Sequence, residues 1–212
     1  MGESKRHPVF ARFWAKMAGP GLDKAGIGAH RDRLLAGLTG EVLEVGAGNG
    51  LNFGRYPSSV ERVVAVEPEP TLRSLAEQAA ASAPVAIEVV EGSAEHLPVP
   101  DGSFDAAVAC VVLCSVADQA AALAELHRVL RPGGTLRFFE HVQAGSPWMQ
   151  RVQKTVDATI WPLLFGGCHT GRDTASAITA AGFEITELDR FDFPPSRIPV
   201  PAAVHILGTA TR

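Results

Sequence analysis

The sequence predicts an α/β fold in which a doubly wound, mostly parallel sheet carries helices on both faces. From residue 41 to residue 181, short apolar runs rich in valine alternate with segments of helical spacing. This alternation is typical of parallel strands joined by helical crossovers. After Gly182, two strand-like segments follow one another without a helix, which indicates an antiparallel closing pair. Right-handed crossovers then give a Rossmann-like, seven-stranded sheet whose last strand is antiparallel.

The individual elements follow from apolar spacing and from glycine and proline breaks. Strands are expected at 41–45, 62–66, 86–90, 104–110, 135–140, 183–191 and 204–212. Helices are expected at 8–18, 29–38, 50–56, 70–81, 118–130 and 172–181. The prolines of "DFPPSRIPVP" preclude a helix between the last two strands. We therefore expect one compact domain overall, with an N-terminal helical cap over 1–40 and the α/β domain over 41–212.

Composition and charge narrow the class of protein. The chain has 212 residues, of which 46% are hydrophobic, and a formal net charge of -4. Proteins that bind a nucleic-acid backbone usually carry a basic excess, so we expect no nucleic-acid partner. Three cysteines without a CxxC pair fit a reducing cytosol. No window of about 18 uncharged apolar residues occurs, so we expect a cytoplasmic protein without an integral membrane segment. The oligomeric state stays open.

The stretch "EVLEVGAGNGLNFGRYP" combines a strand, a glycine-rich loop and an early acid. Gly46, Gly48 and Gly50 let the backbone turn tightly and let a ligand approach closely. Their spacing differs from the GxGxxG dinucleotide fingerprint, because Leu51 follows Gly50. Glu44 precedes the loop, and a carboxylate there is unhelpful beside a pyrophosphate but suits a ligand with an ammonium group.

A second acid closes the next predicted strand. Glu67, in "VVAVEPEP", lies 23 residues after Glu44. A carboxylate at this position accepts hydrogen bonds from both hydroxyls of a ribose. Glu67 alone does not identify the ligand, because an NAD site would use the same acid.

Two further stretches, "EGSAEHLPVPDGSFDAAVA" and "ELHRVLRPGGTLRFFEH", complete an ordered set. Together with "VLEVGAGNG" and "VVAVEPEP", they resemble the motifs of class I S-adenosylmethionine-dependent methyltransferases over residues 41 to 141. The resemblance implies S-adenosylmethionine as the cofactor and S-adenosylhomocysteine as its product. The residues expected to bind this cofactor are Glu44, Gly46, Ala47, Gly48, Gly50, Asn52, Glu67, Pro68, Ser93, Ala94, Glu95 and Cys110.

One position departs from the family pattern. Ser93 stands where the family usually has an aspartate that meets the adenine amino group. Serine can still bond the adenine, or Glu95 could take that role. His30, Arg31 and Arg33 begin the helix before the first strand, and they either fold over the cofactor or cap the surface.

Longer stretches narrow the resemblance. "GAGNGLNFGRYP", "VVLCSVADQ", "RVLRPGGTLRFFEHV" and "DATIWPLLFGGCHTGRDT" are similar to the methyltransferase-like-7 branch of the methyltransferase-11/UbiE-like group, whose mammalian members resemble thiol S-methyltransferases. The resemblance implies a small-molecule acceptor, with a thiol or sulfide favoured. An O- or C-methyltransferase of a secondary metabolite or quinone-type ring is an alternative. A non-catalytic module that binds S-adenosylmethionine is another.

The acceptor pocket of this fold is expected beyond the carboxyl ends of the fourth and fifth strands. His141 ends the fifth strand and could take a proton from a thiol or hydroxyl, unless it only braces a loop. Asp157 lies in the insert that follows, and it either orients His141, binds a cationic acceptor or is a solvated helix acid. The residues expected to form an apolar underside of this insert are Trp148, Trp161, Leu164 and Phe165.

No metal site is expected from the sequence. His169 beside Cys168 lacks further ligands at a suitable spacing. Cys110 and Cys114 are expected to be small, buried apolar fillers, although the strand end that carries Cys110 borders the cofactor pocket. Neither a [DN]PP[YFW] tetrad nor a basic-aromatic cluster occurs, which leaves a small molecule as the acceptor.

Overall fold

The computed structural model describes residues 26–159, 161–195 and 200–212, so the helix predicted at 8–18 lies outside the described residues. Its strands form one sheet in the order β3-β2-β1-β4-β5-β7-β6. The strands are β1 (Gly40–Val45), β2 (Val60–Val66), β3 (Ala86–Val90), β4 (Phe104–Cys110), β5 (Leu130–His141), β6 (Glu184–Asp192) and β7 (Val204–Thr211). The helices are α1 (Ile27–Leu35), α2 (Pro70–Ala80), α3 (Gln119–Val129), α4 (Pro147–Asp157), α5 (Trp161–Leu164) and α6 (Thr174–Ala180).

Strand direction confirms the predicted class of sheet. The first five strands pair in parallel, and β7 runs antiparallel to both β5 and β6. Alternate side chains of a strand point to opposite faces: Val64 and Val66 lie in one apolar core, and Val63 and Ala65 lie in the other. Both faces of the sheet are therefore buried, which explains the valine-rich runs in the sequence.

Several element ends differ from the prediction, including the following three. The segment predicted as a helix over 50–56 forms turns and a 3₁₀ helix, Phe53–Arg55, because the glycine loop and Pro57 leave only a few residues between them. β5 begins at Leu130, so the helix before it ends one residue early. The helix predicted at 29–38 runs from Ile27 to Leu35. None of these differences changes the topology.

The insert between β5 and α6 folds as α4 and α5. Ser146 caps α4, because its side chain accepts a hydrogen bond from the N–H of Met149 at 3.3 Å. Gln153 of α4 is buried, and its side-chain amide donates to the carbonyl oxygens of Val142 at 3.2 Å and Thr170 at 2.9 Å. The insert is thus tied to the carboxyl end of β5. Within the described ranges, no helix combines the length and apolar character needed to cross a membrane.

Candidate active site

The glycine loop after β1 is closed on one side and open on the other. Gly46 and Gly48 have φ of 60° and 59°, in the left-handed region that favours glycine. A Cβ added to Gly46 would lie 2.6 Å from Cγ2 of Val112, so this glycine lets the loop pack against the segment after β4. A Cβ added to Gly48 would meet no atom within 4 Å. The loop therefore has a tightly packed back and an open cradle at Gly48.

Glu67 follows β2 and faces this cradle. Its Oε2 accepts a hydrogen bond from the N–H of Gly48 at 2.8 Å, and its Oε1 accepts one from the N–H of Glu69 at 2.9 Å. Burial raises the pKa of Glu67 to about 7. Each carboxylate oxygen has two lone pairs, so each can accept a further bond from a ribose hydroxyl. Pro68, also predicted to bind the cofactor, follows Glu67 directly.

Glu44 lies at the centre of a buried hydrogen-bond network on the other side of the loop. Its oxygens accept bonds from Nδ2 of Asn52 at 2.7 Å and from the hydroxyl of Tyr56 at 2.6 Å. Arg31 of α1 donates to Oδ1 of Asn52 at 2.6 Å and to Sγ of Cys110 at 3.3 Å. Burial raises the pKa of Glu44, while the hydrogen bonds from Tyr56 and Asn52 and the charge of Arg31 oppose that rise.

Arg31 places a buried cation close to the buried carboxyl group of Glu44. The Nε of Arg31 is buried and has no hydrogen-bond partner among the described residues. The free N–H of the Arg31 cation fits a ligand carboxylate, and the acid Glu44 beside it fits a ligand ammonium group. An amino-acid moiety carries both groups. Together with the open cradle at Gly48 and the acid Glu67, this pair fits S-adenosylmethionine.

The sequence analysis did not single out Tyr56. For Arg31 it left two roles open, folding over the cofactor or capping the surface. Arg31 is 7% exposed and Tyr56 is 3% exposed, so neither is a surface residue. The available signal was weak, because "AHRDRLL" carries several charged residues and only the fold shows which one points inward.

The predicted adenine side is formed by residues 93–95. Ser93 forms an isolated β-bridge with His96, and Ala94 is buried. Oε1 of Glu95 accepts hydrogen bonds from the N–H groups of Ala117 at 3.0 Å and Asp118 at 3.4 Å, just before α3. Glu95 thus supports the start of α3, whereas Ser93 keeps the position predicted to meet the adenine.

On the acceptor side, the structure brings three residues together that the sequence analysis treated separately. Nδ1 of His141 lies 3.7 Å from Sγ of Cys114 and 3.6 Å from Sγ of Cys168. The two sulfur atoms are 3.6 Å apart. We call Cys114, His141 and Cys168 the Cys–His cluster. Hydrogen bonding with Cys114 and with His141 lowers the pKa of Cys168, against the opposing effect of burial.

Of the alternatives given for Asp157, its hydrogen bonds favour neither an orienting bond to His141 nor a fully solvated acid. Its Oδ1 accepts hydrogen bonds from the N–H of Thr170 at 2.8 Å and from the Thr170 hydroxyl at 3.0 Å. Its Oδ2 accepts a bond from the N–H of Gly171 at 2.9 Å. Both oxygens therefore hold the loop after Cys168 rather than orient His141. We reassign Asp157 from a catalytic candidate to a residue that positions this loop.

The apolar underside predicted for the insert is only partly present. Trp161 stacks on Phe165 with ring centroids 4.1 Å apart. Trp148 and Leu164 are instead 63% and 55% exposed. The exposure of Trp148 follows from the geometry of α4, which buries Met149 and Gln153 on its inner face.

The geometry defines a class of protein. A seven-stranded sheet in this order, a glycine loop after β1 and a buried acid after β2 are the cofactor-binding features of a class I S-adenosylmethionine-dependent methyltransferase.

Comparison with known proteins gives the same class. Residues 43–138 match the family described as a methyltransferase domain. The chain is 39% identical over 183 residues to thiol S-methyltransferase TMT1A of Homo sapiens. The matched region covers 84% of this chain and 73% of that protein. It is 37% identical over 90 residues to a ubiquinone/menaquinone biosynthesis C-methyltransferase, UbiE, of Hahella chejuensis, covering 42% of this chain and 35% of that protein. The chain belongs to the family of S-adenosylmethionine-dependent methyltransferases and is an enzyme of that class.

A solved structure agrees in fold. The crystal structure of an S-adenosylmethionine-dependent methyltransferase from Mesorhizobium loti superposes with a TM-score of 0.65 at 21% identity. The match covers 91% of this chain and 100% of that one. It supports the overall fold described above.

Proposed function

We propose that this methyltransferase transfers a methyl group to the sulfur of a small-molecule thiol or sulfide. The similarity to a thiol S-methyltransferase over 84% of the chain supports this choice, whereas the quinone C-methyltransferase matches only 42%. The observation that carries the proposal lies at the acceptor end, where the carboxylates of Glu140 and Asp157 are both engaged by the backbone.

Glu140, which precedes His141, and Asp157, which was predicted as a possible partner of His141, both bind the backbone. Glu140 is fully buried and accepts hydrogen bonds from the N–H groups of Val112, Leu113 and Cys114 at 2.8, 2.9 and 3.1 Å. Asp157 binds the loop after Cys168, as described above. In the described part of the chain, neither carboxylate hydrogen-bonds the imidazole of His141. Such a site suits an acceptor that loses its proton near neutral pH, and a thiol does so more readily than a phenol or an alcohol.

The cofactor end has a binding role in this proposal. S-adenosylmethionine supplies an activated methyl group on a sulfonium. Arg31 and Glu44 would hold the amino-acid end of the cofactor, and Glu67 would hold its ribose. Because the reaction is an in-line displacement, the contribution of the chain is to align the acceptor sulfur and to exclude water.

A set of matched acceptors tests the proposal directly. Thiophenol, phenol and aniline differ in the acceptor atom and share the ring, so kcat/KM compares sulfur, oxygen and nitrogen in one shape. We expect S-methyl product with thiophenol at a kcat/KM at least about tenfold above that for phenol, because more of the thiol is ionised at neutral pH.

The opposite ranking would contradict a sulfur acceptor. If phenol reacts faster and His141→Asn lowers its turnover by about 10²-fold or more, the loss expected for a general base, the enzyme is an O-methyltransferase. If S-adenosylmethionine binds but none of the three acceptors, and no larger thiol or ring, is methylated, the proposed activity is wrong.

A further inference from the structure

The Cys–His cluster has the spacing of a metal site. Its three donor atoms are Sγ of Cys114, Sγ of Cys168 and Nδ1 of His141, and they are separated by 3.6, 3.6 and 3.7 Å. A tetrahedral zinc ion with Zn–S bonds of about 2.3 Å and Zn–N bonds of about 2.0 Å holds two sulfurs about 3.8 Å apart and a sulfur and a nitrogen about 3.5 Å apart. All three observed distances agree with such a centre to within a few tenths of an ångström.

The backbone around Cys114 is held firmly in place. The carboxylate of Glu140 accepts hydrogen bonds from the N–H groups of three successive residues, the last of which is Cys114 at 3.1 Å. Arg172 donates to the carbonyl oxygens of Leu113 and Val116, both at 2.7 Å. The two bonds from Arg172 connect the loop after Cys168 to the loop that carries Cys114. The two cysteines therefore face each other because two loops are joined by buried and half-buried polar contacts.

The loop around Cys168 is fixed from its other side. The N–H of His169 donates to the carbonyl oxygen of Cys114 at 2.8 Å. Asp157 of α4 binds Thr170 and Gly171 through both of its carboxylate oxygens. A set of donors held apart in this way loses little conformational freedom when an ion binds, which is the usual support around a metal centre.

We propose that Cys114, His141 and Cys168 bind one Zn²⁺ ion and that its fourth position takes the sulfur of the acceptor as a thiolate. Three protein ligands and one open position are typical of zinc sites that bind a substrate, whereas structural sites have four. Cys114 and Cys168 are buried and His141 is half-buried, so the cluster is most open beside the imidazole. The part of this proposal that concerns the acceptor rests on the proposed function.

The protons and electrons of each step balance. Binding of Zn²⁺ displaces the thiol protons still carried by Cys114 and Cys168, and these protons pass to solvent. The acceptor thiol then gives up its proton to solvent, and a sulfur lone pair binds the ion. During transfer, a lone pair of that sulfur forms the new bond to the methyl carbon. The electrons of the broken bond stay on the sulfonium sulfur, which leaves as a neutral thioether. The methylated acceptor is also a neutral thioether and binds the ion weakly.

The metal site can be tested without measuring activity. The full chain, reduced and freed of metal with a chelator, is titrated with Zn²⁺ against a chromophoric chelator, and then with Co²⁺ to observe thiolate-to-cobalt absorption. We expect one equivalent to bind, and Cys114→Ser and Cys168→Ser to weaken binding at least about 100-fold. His141→Asn should keep the thiolate absorption but bind more weakly. Cys110→Ser is the matched control, because this third cysteine lies outside the cluster and should leave metal affinity unchanged.

Clear results would overturn the metal site. The melting temperature and the circular dichroism spectrum show whether each variant is folded. If folded wild-type protein binds Zn²⁺ no more tightly than Cys114→Ser, or if Cys110→Ser weakens binding equally, the site does not exist. Reduced protein that takes up no zinc and forms a Cys114–Cys168 disulfide on mild oxidation would also overturn it.

A second measurement separates this inference from the proposed function. Thiophenol is added to the Co²⁺-loaded protein with S-adenosylhomocysteine, and we expect added thiolate-to-cobalt absorption that S-methyl thiophenol does not produce. If thiophenol is methylated at the same kcat/KM after metal removal, coordination of the acceptor is wrong while the thiol methyltransferase proposal stands. If the metal binds but thiols neither alter the spectrum nor react, the proposed function fails and only the metal site remains.

Discussion

The cofactor end and the acceptor end of this sheet are built in different ways. At the cofactor end, Glu44 binds Asn52 and Tyr56, which follow it by 8 and 12 residues, and Glu67 binds Gly48 at a separation of 19. At the acceptor end, Cys114 and Cys168 meet across 54 residues of chain.

This difference shows how each end is held in shape. The cofactor end depends mostly on contacts within the unit β1–loop–β2, to which Arg31 of α1 adds a bond from outside it. The acceptor end depends on side chains that bind the backbone of distant loops, such as Glu140, Asp157 and Arg172. Changes at the first end should therefore alter cofactor affinity, and changes at the second should alter acceptor turnover while cofactor binding persists.

The largest effect is expected from Gly46→Val. Its φ of 60° and the 2.6 Å distance from an added Cβ to Val112 combine backbone strain with overpacking. We expect the free energy of unfolding to fall by about 2–5 kcal/mol and S-adenosylmethionine binding to be lost. Calorimetry and thermal unfolding measure the two quantities.

Gly48→Ala is the matched control for this change. Gly48 has nearly the same φ, but an added Cβ meets no atom within 4 Å. We expect a stability loss of only about 1 kcal/mol, because the strain remains without the clash. Cofactor affinity should still fall at least tenfold, since the methyl group enters the cradle. Equal stability loss in both variants, or unchanged affinity in Gly48→Ala, would show that the loop is not packed as described.

The next effect is expected from Glu67→Gln. Loss of the charge from two ribose hydrogen bonds should weaken cofactor binding by about 1–3 kcal/mol. Because the pKa of Glu67 is about 7 in the free protein, part of the carboxyl is neutral at neutral pH. A ligand that bonds to the carboxylate should therefore bind more tightly as the pH rises through about 7. Titrations at several pH values should show this slope in the wild type and a flat profile in the variant; a slope in both would assign it to another group.

The contrast between the two ends also explains what the sequence could predict. The parallel sheet, its reversed last strand and the acids Glu44 and Glu67 were predictable, because valine runs, glycine loops and strand-end acids are short-range patterns. Glu67 lies beside the loop, since the carboxyl ends of neighbouring parallel strands meet at one edge.

The Cys–His cluster was not predictable in this way. Cys114, His141 and Cys168 belong to three segments with no ligand spacing between them, and their meeting depends on how the insert folds back. The contacts of Asp157 were not predictable for the same reason, because its partner Thr170 lies 13 residues further along, in a loop without a sequence signature. Arg31 needed the orientation of α1, which apolar spacing in a short helix defines poorly.

A smaller effect is expected from Arg31→Met. This change keeps the length of the side chain and removes the cation that donates to Asn52 and Cys110. We expect S-adenosylmethionine affinity to fall about tenfold, the loss of one charge-assisted hydrogen bond to the carboxylate of the cofactor. Arg33→Met is the control, because Arg33 pairs with Asp189 on the surface. Decarboxylated S-adenosylmethionine lacks the carboxylate, so it should bind the wild type and Arg31→Met equally. A tenfold difference for that ligand as well would show that Arg31 acts only through the fold.

The smallest effect is expected from Asp157→Asn, and it tests the acceptor end alone. The oxygen of the asparagine amide can still accept the bond from Thr170. Its NH₂ group, however, would face the N–H of Gly171, so two donors would meet and that bond would be lost. Losing that charge-assisted bond should lower the free energy of unfolding by about 1–2 kcal/mol. The Kd of S-adenosylmethionine should not change, since none of its proposed contacts lies in this loop. If Asp157 positions the loop, kcat/KM for the acceptor should fall severalfold with the same pH profile as the wild type. A changed pH profile with unchanged stability would instead return Asp157 to the catalytic role first predicted for it.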